Sequence, residues 1–243
     1  RVSDLDGLTL VSNSDAHSPL NLGREANLLN TRLSYHGIKS AIKSGDPDAF
    51  LGTFEFYPQE GKYHLDGHRN CKIRLNPRET MDYNGKCPVC GKALTIGVLN
   101  RVEELADRSQ GLKPPSHFPY HSIIPLAEIF SDILRVGVKS KKVKTNYQKA
   151  LTQLGSEFNI LQTLETDKIN SAGIPLLGEA IRRMRQKEVE IMPGYDGEYG
   201  RIKIFNSDER ERLLGQKALF SAPRQNSAPQ TASYSKAPSH LPK

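Results

Sequence analysis

Three cysteines and a histidine carry the clearest chemical signal in this sequence. His68 and Cys71 have two residues between them, Cys87 and Cys90 have two between them, and fifteen residues separate the pairs. Two ligands on one tight turn can face a single ion, and a second such turn completes a tetrahedron. Pro88 and Gly91 supply turn geometry around the second pair. A His/Cys3 set fills all four positions and leaves none open for water, so the expectation is a structural Zn2+ site rather than a catalytic one. The surrounding insert has few large apolar residues, which makes metal binding a main source of its folding energy. His64 is the rival fourth ligand, behind His68 on spacing. Three unrelated free thiols are the plainer alternative. An odd, clustered cysteine count argues against a secreted disulfide framework and for a reducing, cytoplasmic setting.

A second pair of chemical interest is Asp15 and His17. They sit in the polar loop Ser12 to Pro19, just after the apolar, β-branched run Leu8 to Val11, which reads as a buried strand. Loops at strand C-termini are where α/β barrels place their chemistry. A carboxylate and an imidazole one residue apart can face one pocket and share a metal. The competing reading is an Asx-turn at Asp15 with an ordinary loop histidine.

The elements that must position these residues are legible in outline. Tyr35 to Lys43 has helical spacing and stops at Gly45-Asp46-Pro47, and Phe50 to Tyr57 suits a strand. Residues 58–95 are rich in turn formers. Val98 to Arg108 reads as a helix with Val98, Val102, Leu105 and Ala106 on one face, before a linker at Lys113-Pro114-Pro115 and Pro119. Leu126, Ile129, Phe130, Ile133 and Leu134 form an amphipathic face, and further helices are expected at 144–154 and 174–188. A glycine-rich turn, Gly194 to Gly200, precedes a strand at Arg201 to Phe205. From about Phe220 the composition shifts to Ser, Pro, Ala and Gln, which predicts disorder.

The formal net charge is +7 and the pI about 9.2, a balance that favours an anionic partner. The charge is also local. Residues 133–156 hold Arg135, Lys139, Lys141, Lys142, Lys144 and Lys149 with no acid, a pattern suited to phosphate contacts. Their bland reading is a solvated helix start. No apolar run approaches the roughly 20 residues needed to span a bilayer, so no membrane partner is expected. The chain has no initiating Met and no secretory h-region, and reads as a piece of a longer protein.

Several motifs, in order, carry a resemblance. Ser12-Asn13-Ser14-Asp15-Ala16-His17 looks like the last metal-binding motif of polymerase and histidinol phosphatase (PHP) phosphoesterase domains. Gly23 to Asn27, Gly52 to Pro58, Gly61 to His64, the His/Cys set, Thr95 to Leu99, Arg101 to Arg108 and Pro193 to Gly200 follow. Together they resemble the endonuclease Q family over roughly residues 1–210. The resemblance implies an α/β plus α architecture. Residues 1–57 would be the carboxy-terminal part of a PHP-type β/α barrel, 58–110 a zinc-ribbon-like module, 111–219 a mainly helical DNA-binding region and 220–243 a disordered tail. It implies a metal-dependent endonuclease of DNA repair that nicks 5′ of deaminated bases or abasic sites. Asp15 and His17 would then be ligands of a divalent catalytic centre (Zn2+, Mn2+ or Mg2+), in which metal ions clamp the phosphate and activate water. Lys141, Lys142 and Lys144 become candidate phosphate contacts. Tyr195 and Tyr199 become candidates for stacking on a base, with packing in a local core as the alternative. An early His-x-His motif, part of a complete PHP centre, is absent from this sequence. A non-catalytic zinc-containing nucleic-acid-binding module is the second reading.

Overall fold

The computed structural model describes residues 1–112, 114 and 117–215. The disordered tail expected at 220–243 lies outside the described residues, as do Lys113 and Pro115 of the expected linker.

The fold is mixed α/β, with three small sheets and several helices. The first sheet has order β1-β2-β5, where β1 is Ala26–Leu29, β2 is Phe50–Glu55 and β5 is Tyr120–Ser122. β1 runs antiparallel to β2, and β5 runs parallel to it. Gly52 lies at the centre with φ +131, and a Cβ there would overlap the Pro119 carbonyl oxygen. Glycine is what lets β5 approach. Helix α1, Tyr35–Ser44, connects β1 to β2. Ser34 accepts from the Gly37 N–H at its start and left-handed Gly45 ends it, so both termini follow ordinary capping chemistry.

Leu8 to Val11 is not a strand. Leu10 is 59% exposed, and Leu8 and Val11 are exposed as well. A strand needs a neighbour to take its backbone groups. Leu8 N–H turns back to Leu5 O at 3.0 Å, and Ser12 is held by the Asn27 amide, which accepts from Ser12 N and donates to Ser12 O; neither is a strand partner.

The middle of the chain builds the hairpin β3 (Asp66–His68) and β4 (Ile73–Leu75), then α2 (Pro77–Asp82) and α3 (Val98–Leu105). α2 opens with a reciprocal capping box between Asn76 and Glu79, and Pro77 sits at its first turn. The apolar face expected on α3 is present but open: Val98, Val102 and Leu105 are all exposed.

The main core lies in the helical part. α4 (Leu126–Leu134) buries Leu126, Ile129, Phe130 and Ile133, four of the five positions its periodicity marks. At about 1.5–3 kcal/mol per buried large side chain, that stripe anchors the helix. α5 (Lys141–Leu154) adds Val143 and Ala150. α6 (Thr166–Ser171) adds Ile169, and α7 (Leu177–Gln186) adds Leu177, Ala180, Ile181 and Met184. Phe54, Tyr57, Ile123 and Ile124 join the same cluster, so the first sheet and the helices share one core. The expectations for 144–154 and 174–188 correspond to α5 and α7. α6 is short, and a π-helical turn at Asn159–Thr163 precedes it; neither has a periodic pattern long enough to announce it. The chain closes with a hairpin, β6 (Glu190–Met192) and β7 (Arg201–Lys203), and α8 (Ser207–Leu213). Among the described residues, no helix is long and apolar enough to cross a membrane.

Candidate metal centre and nucleic-acid interface

β3 delivers His68, and the single 3-10 turn Arg69–Cys71 that follows delivers Cys71. Left-handed Lys72 (φ 54) then turns the chain back into β4. The second pair sits on a tight knuckle. Cys87 N–H donates to Lys92 O at 2.7 Å, Gly91 N–H donates to Cys87 O at 2.8 Å, and Gly91 has φ +71. The result is that one ligand atom from each of His68, Cys71, Cys87 and Cys90 lies within 4.8 Å of the others. Cys90 Sγ is 3.4 Å from His68 Nδ1. A tetrahedral Zn2+ with bonds of about 2.0–2.3 Å fits a donor set of this kind and size. His64 stands outside the cluster, half-buried, with its carbonyl accepting from Leu99 N–H.

The thiols are electrostatically unlike. Burial pushes the Cys87 thiol up, but the N–H groups of Cys90 and Val89 and the His68 ring outweigh it, and its pKa falls to about 7. Desolvation and the neighbouring Cys90 and Cys87 push Cys71 up to about 11. A cation among these sulfurs favours the thiolate at all three.

Two buried or half-buried carboxylates lock the knuckles in place. Asp66 is 0% exposed; its oxygens accept from Gly97 N–H at 2.6 Å and Asn100 Nδ2 at 2.7 Å. Asp196, left-handed at φ 43, accepts from Arg69 N–H at 2.6 Å and from Thr95 Oγ1 at 2.5 Å. Those hydrogen bonds hold its carboxyl below the usual range. The 193–200 loop, far away in sequence, is therefore part of the frame around the His/Cys cluster.

Tyr195 belongs to that frame and not to an exposed surface. It is 6% exposed, packed against Gly67, with the Arg74 guanidinium 5.2 Å from its ring centre. The expectation that it stacks on a base gives way to the packing alternative, because its neighbours already cover the ring. Tyr199 points outward and is 68% exposed.

The Asp-Ala-His loop is exposed. Asp15 has φ 44, and His17 Nδ1 lies 2.8 Å from the carbonyl oxygen of Asp15. Among the described residues the two side chains are not part of any group of three or more metal-binding side chains. Lys141, Lys142 and Lys144 are exposed on the first turn of α5, which Ser140 caps through the Val143 N–H. Lys141, Lys144, Gln148 and Lys149 lie along one face of that helix.

A polar seam that sequence reading did not single out runs between the sheet and α4. Burial lifts the Glu60 carboxyl to about 7, helped by the charge of Glu128. Burial also raises Glu128, and Arg24 bridges to it at 3.3 Å. Tyr57 Oη and Arg24 Nε are buried there without a hydrogen-bond partner among the described residues. Only the fold brings these positions together.

Comparison with solved structures places this arrangement. The crystal structure of the lesion-specific endonuclease PfuEndoQ from Pyrococcus furiosus matches with a TM-score of 0.76 and 33% identity, over 89% of this chain and 53% of that one. This chain resembles endonuclease Q. A complex of endonuclease Q with a 27-mer duplex substrate carrying an abasic lesion at the active site matches at a TM-score of 0.73 and 32% identity, over 90% of this chain and 54% of that one. The family model described as the MJ0043 C-terminal domain matches residues 125–188, from α4 to the end of α7, in keeping with a carboxy-terminal part of endonuclease Q. The uncharacterized protein MJ0043 of Methanocaldococcus jannaschii is 34% identical over 211 residues, covering 84% of this chain and 26% of that protein. The uncharacterized protein YqxK of Bacillus subtilis is 28% identical over 204 residues, covering 83% of this chain and 48% of that protein. The chain thus spans about half the length of the endonuclease Q structures and between a quarter and a half of those curated relatives.

Proposed function

We propose that this chain is the zinc-bearing, DNA-holding part of a lesion-directed DNA endonuclease that nicks 5′ of deaminated bases or abasic sites. The observation that carries the reading is the likeness to endonuclease Q over nine-tenths of the chain at 33% identity. In this reading residues 1–57 contribute to a PHP-type barrel, 58–110 form the zinc module and 111–219 hold DNA. Zn2+ on His68, Cys71, Cys87 and Cys90 has a structural role: it ties two knuckles together and so fixes the loop that carries Tyr199. Lys141, Lys142 and Lys144 neutralise backbone phosphates, a sequence-independent and salt-sensitive contribution.

Asp15 and His17 would be ligands of the catalytic divalent metals. The described residues do not by themselves complete such a centre, since no third ligand joins the pair. That geometry favours a second reading for the isolated chain: a non-catalytic zinc-containing nucleic-acid-binding module.

A nicking assay separates the two. Uracil-containing, abasic and undamaged duplexes are incubated with the protein in Mg2+ or Mn2+, beside Asp15→Ala. The endonuclease reading expects nicks 5′ of the lesion that Asp15→Ala abolishes. Nicking that survives Asp15→Ala removes this site from the chemistry. Lesion-independent binding without nicking supports the module.

A further inference from the structure

The segment 59–65 and the loop 194–200 are zipped together by backbone hydrogen bonds. Gly194 N–H donates to Gln59 O at 2.8 Å, Leu65 N–H to Gly194 O at 3.0 Å, Gly197 N–H to Lys62 O at 2.9 Å and Gly200 N–H to Glu60 O at 3.0 Å. Glycine is required for the approach: a Cβ at Gly200 would overlap Gln59 O, and one at Gly194 would overlap Gly61 O. The zipped pair is a rigid base, fixed to the zinc knuckles through Asp196.

On that base two tyrosines stand in solvent, Tyr63 at 44% exposure and Tyr199 at 68%. The Lys62 ammonium lies 5.5 Å from the centre of the Tyr63 ring and 5.8 Å from that of Tyr199. Gly197, which has no side chain, leaves open ground. A Cβ built there would lie 3.6 Å from Arg69 Nη1 and 3.8 Å from Tyr63 Oη. The patch thus combines two exposed rings with two exposed cations. Exposed rings on a rigid base lose little conformational entropy when something stacks on them, and cations beside them suit an anionic strand. A base within a duplex already has both faces covered by its neighbours. Inside a duplex, only an unpaired base turned out of the stack offers a free π-face.

We infer that Lys62, Tyr63, Arg69 and Tyr199 form a platform for one unpaired nucleotide of DNA, with the base on an exposed tyrosine ring and the phosphate on the cations. This inference rests on the DNA-binding reading above and names the part of the substrate this surface takes.

The test uses the zinc-loaded full chain and two fluorescent probes: a short, fully paired duplex and the same duplex carrying one bulged 2-aminopurine. Stacking on an aromatic side chain makes up a large share of the affinity for an unpaired base. Tyr199→Ala or Tyr63→Ala is therefore expected to lower the affinity ratio of bulged over paired probe about tenfold. It is also expected to abolish quenching of 2-aminopurine, while Tyr199→Phe retains both. The platform is overturned if the tyrosine variants leave the ratio and the quenching unchanged while the protein still binds the paired duplex and Lys141→Ala/Lys144→Ala weakens that binding. Failure of the wild-type chain to bind either probe at low salt sinks the DNA-binding reading itself, and the platform with it.

Discussion

Replacing Asp66 by Asn exchanges one carboxylate oxygen for an amide NH2 in a fully buried position. The two oxygens of Asp66 face two donors, Gly97 N–H at 2.6 Å and Asn100 Nδ2 at 2.7 Å. Asn has only one acceptor, so whichever way its amide turns, an NH2 group meets a donor. A hydrogen bond to a carboxylate contributes about 1.5–3 kcal/mol, and a buried donor left without a partner costs a similar amount. The expected loss is about 3 kcal/mol for Asp66→Asn, more than a hundredfold in a folding equilibrium. Asn100→Ala removes one donor and leaves the other pair intact, so its cost is about 1–2 kcal/mol. Asp66 opens β3, two residues before His68, so loosening it also loosens a metal ligand. Because metal binding and folding of such a module are one equilibrium, Zn2+ affinity should fall with stability. Urea melts with Zn2+ and with chelator, plus competition against a chromophoric chelator, measure both. Asp66→Asn melting within about 1 kcal/mol of the wild type would refute the assignment of Asp66 as the anchor of the module.

Three further outcomes are expected. Chelation of the metal, or Cys87→Ser, should unfold residues 58–110 and expose the 193–200 loop, while α4 and α7 keep their helical signal; proteolysis and circular dichroism read this, and a protease pattern unchanged by chelator contradicts it. The Glu60 carboxyl is raised from 4.5 to about 7, so its contribution to stability is present below pH 4.5 and is lost as pH rises through 7. Glu60→Gln should therefore stabilise the protein at pH 8 by about 1–2 kcal/mol after allowance for solvent screening, and not at pH 4.5; thermal melts across that range check it, and equal gains at both pH values count against it. Lys141→Ala/Lys144→Ala should weaken binding of any duplex and reduce the slope of log affinity against log salt by about 2; an unchanged slope places the phosphate contacts elsewhere.

The His/Cys cluster was legible in the sequence because its chemistry is local. Two residues between His68 and Cys71, and two between Cys87 and Cys90, set each turn regardless of what surrounds it. The stripe on α4 was legible for the same reason, since a 3.6-residue period fixes which side chains share a face. What depended on distant chain was not legible. Leu8 to Val11 has the residues of a strand but no neighbour among the described residues to complete a ladder, so it stays irregular and exposed. Tyr195 and Tyr199 stand four apart in one glycine-rich loop, with similar local chemistry. Only tertiary packing gives one of them Gly67 and Arg74 as neighbours and leaves the other in solvent. The pairing of Lys62 with Tyr199, and of Asp196 with Arg69, joins residues more than a hundred positions apart. Sequence spacing settles which groups can share a turn, whereas hydrogen bonds between remote backbones decide which turns share a surface.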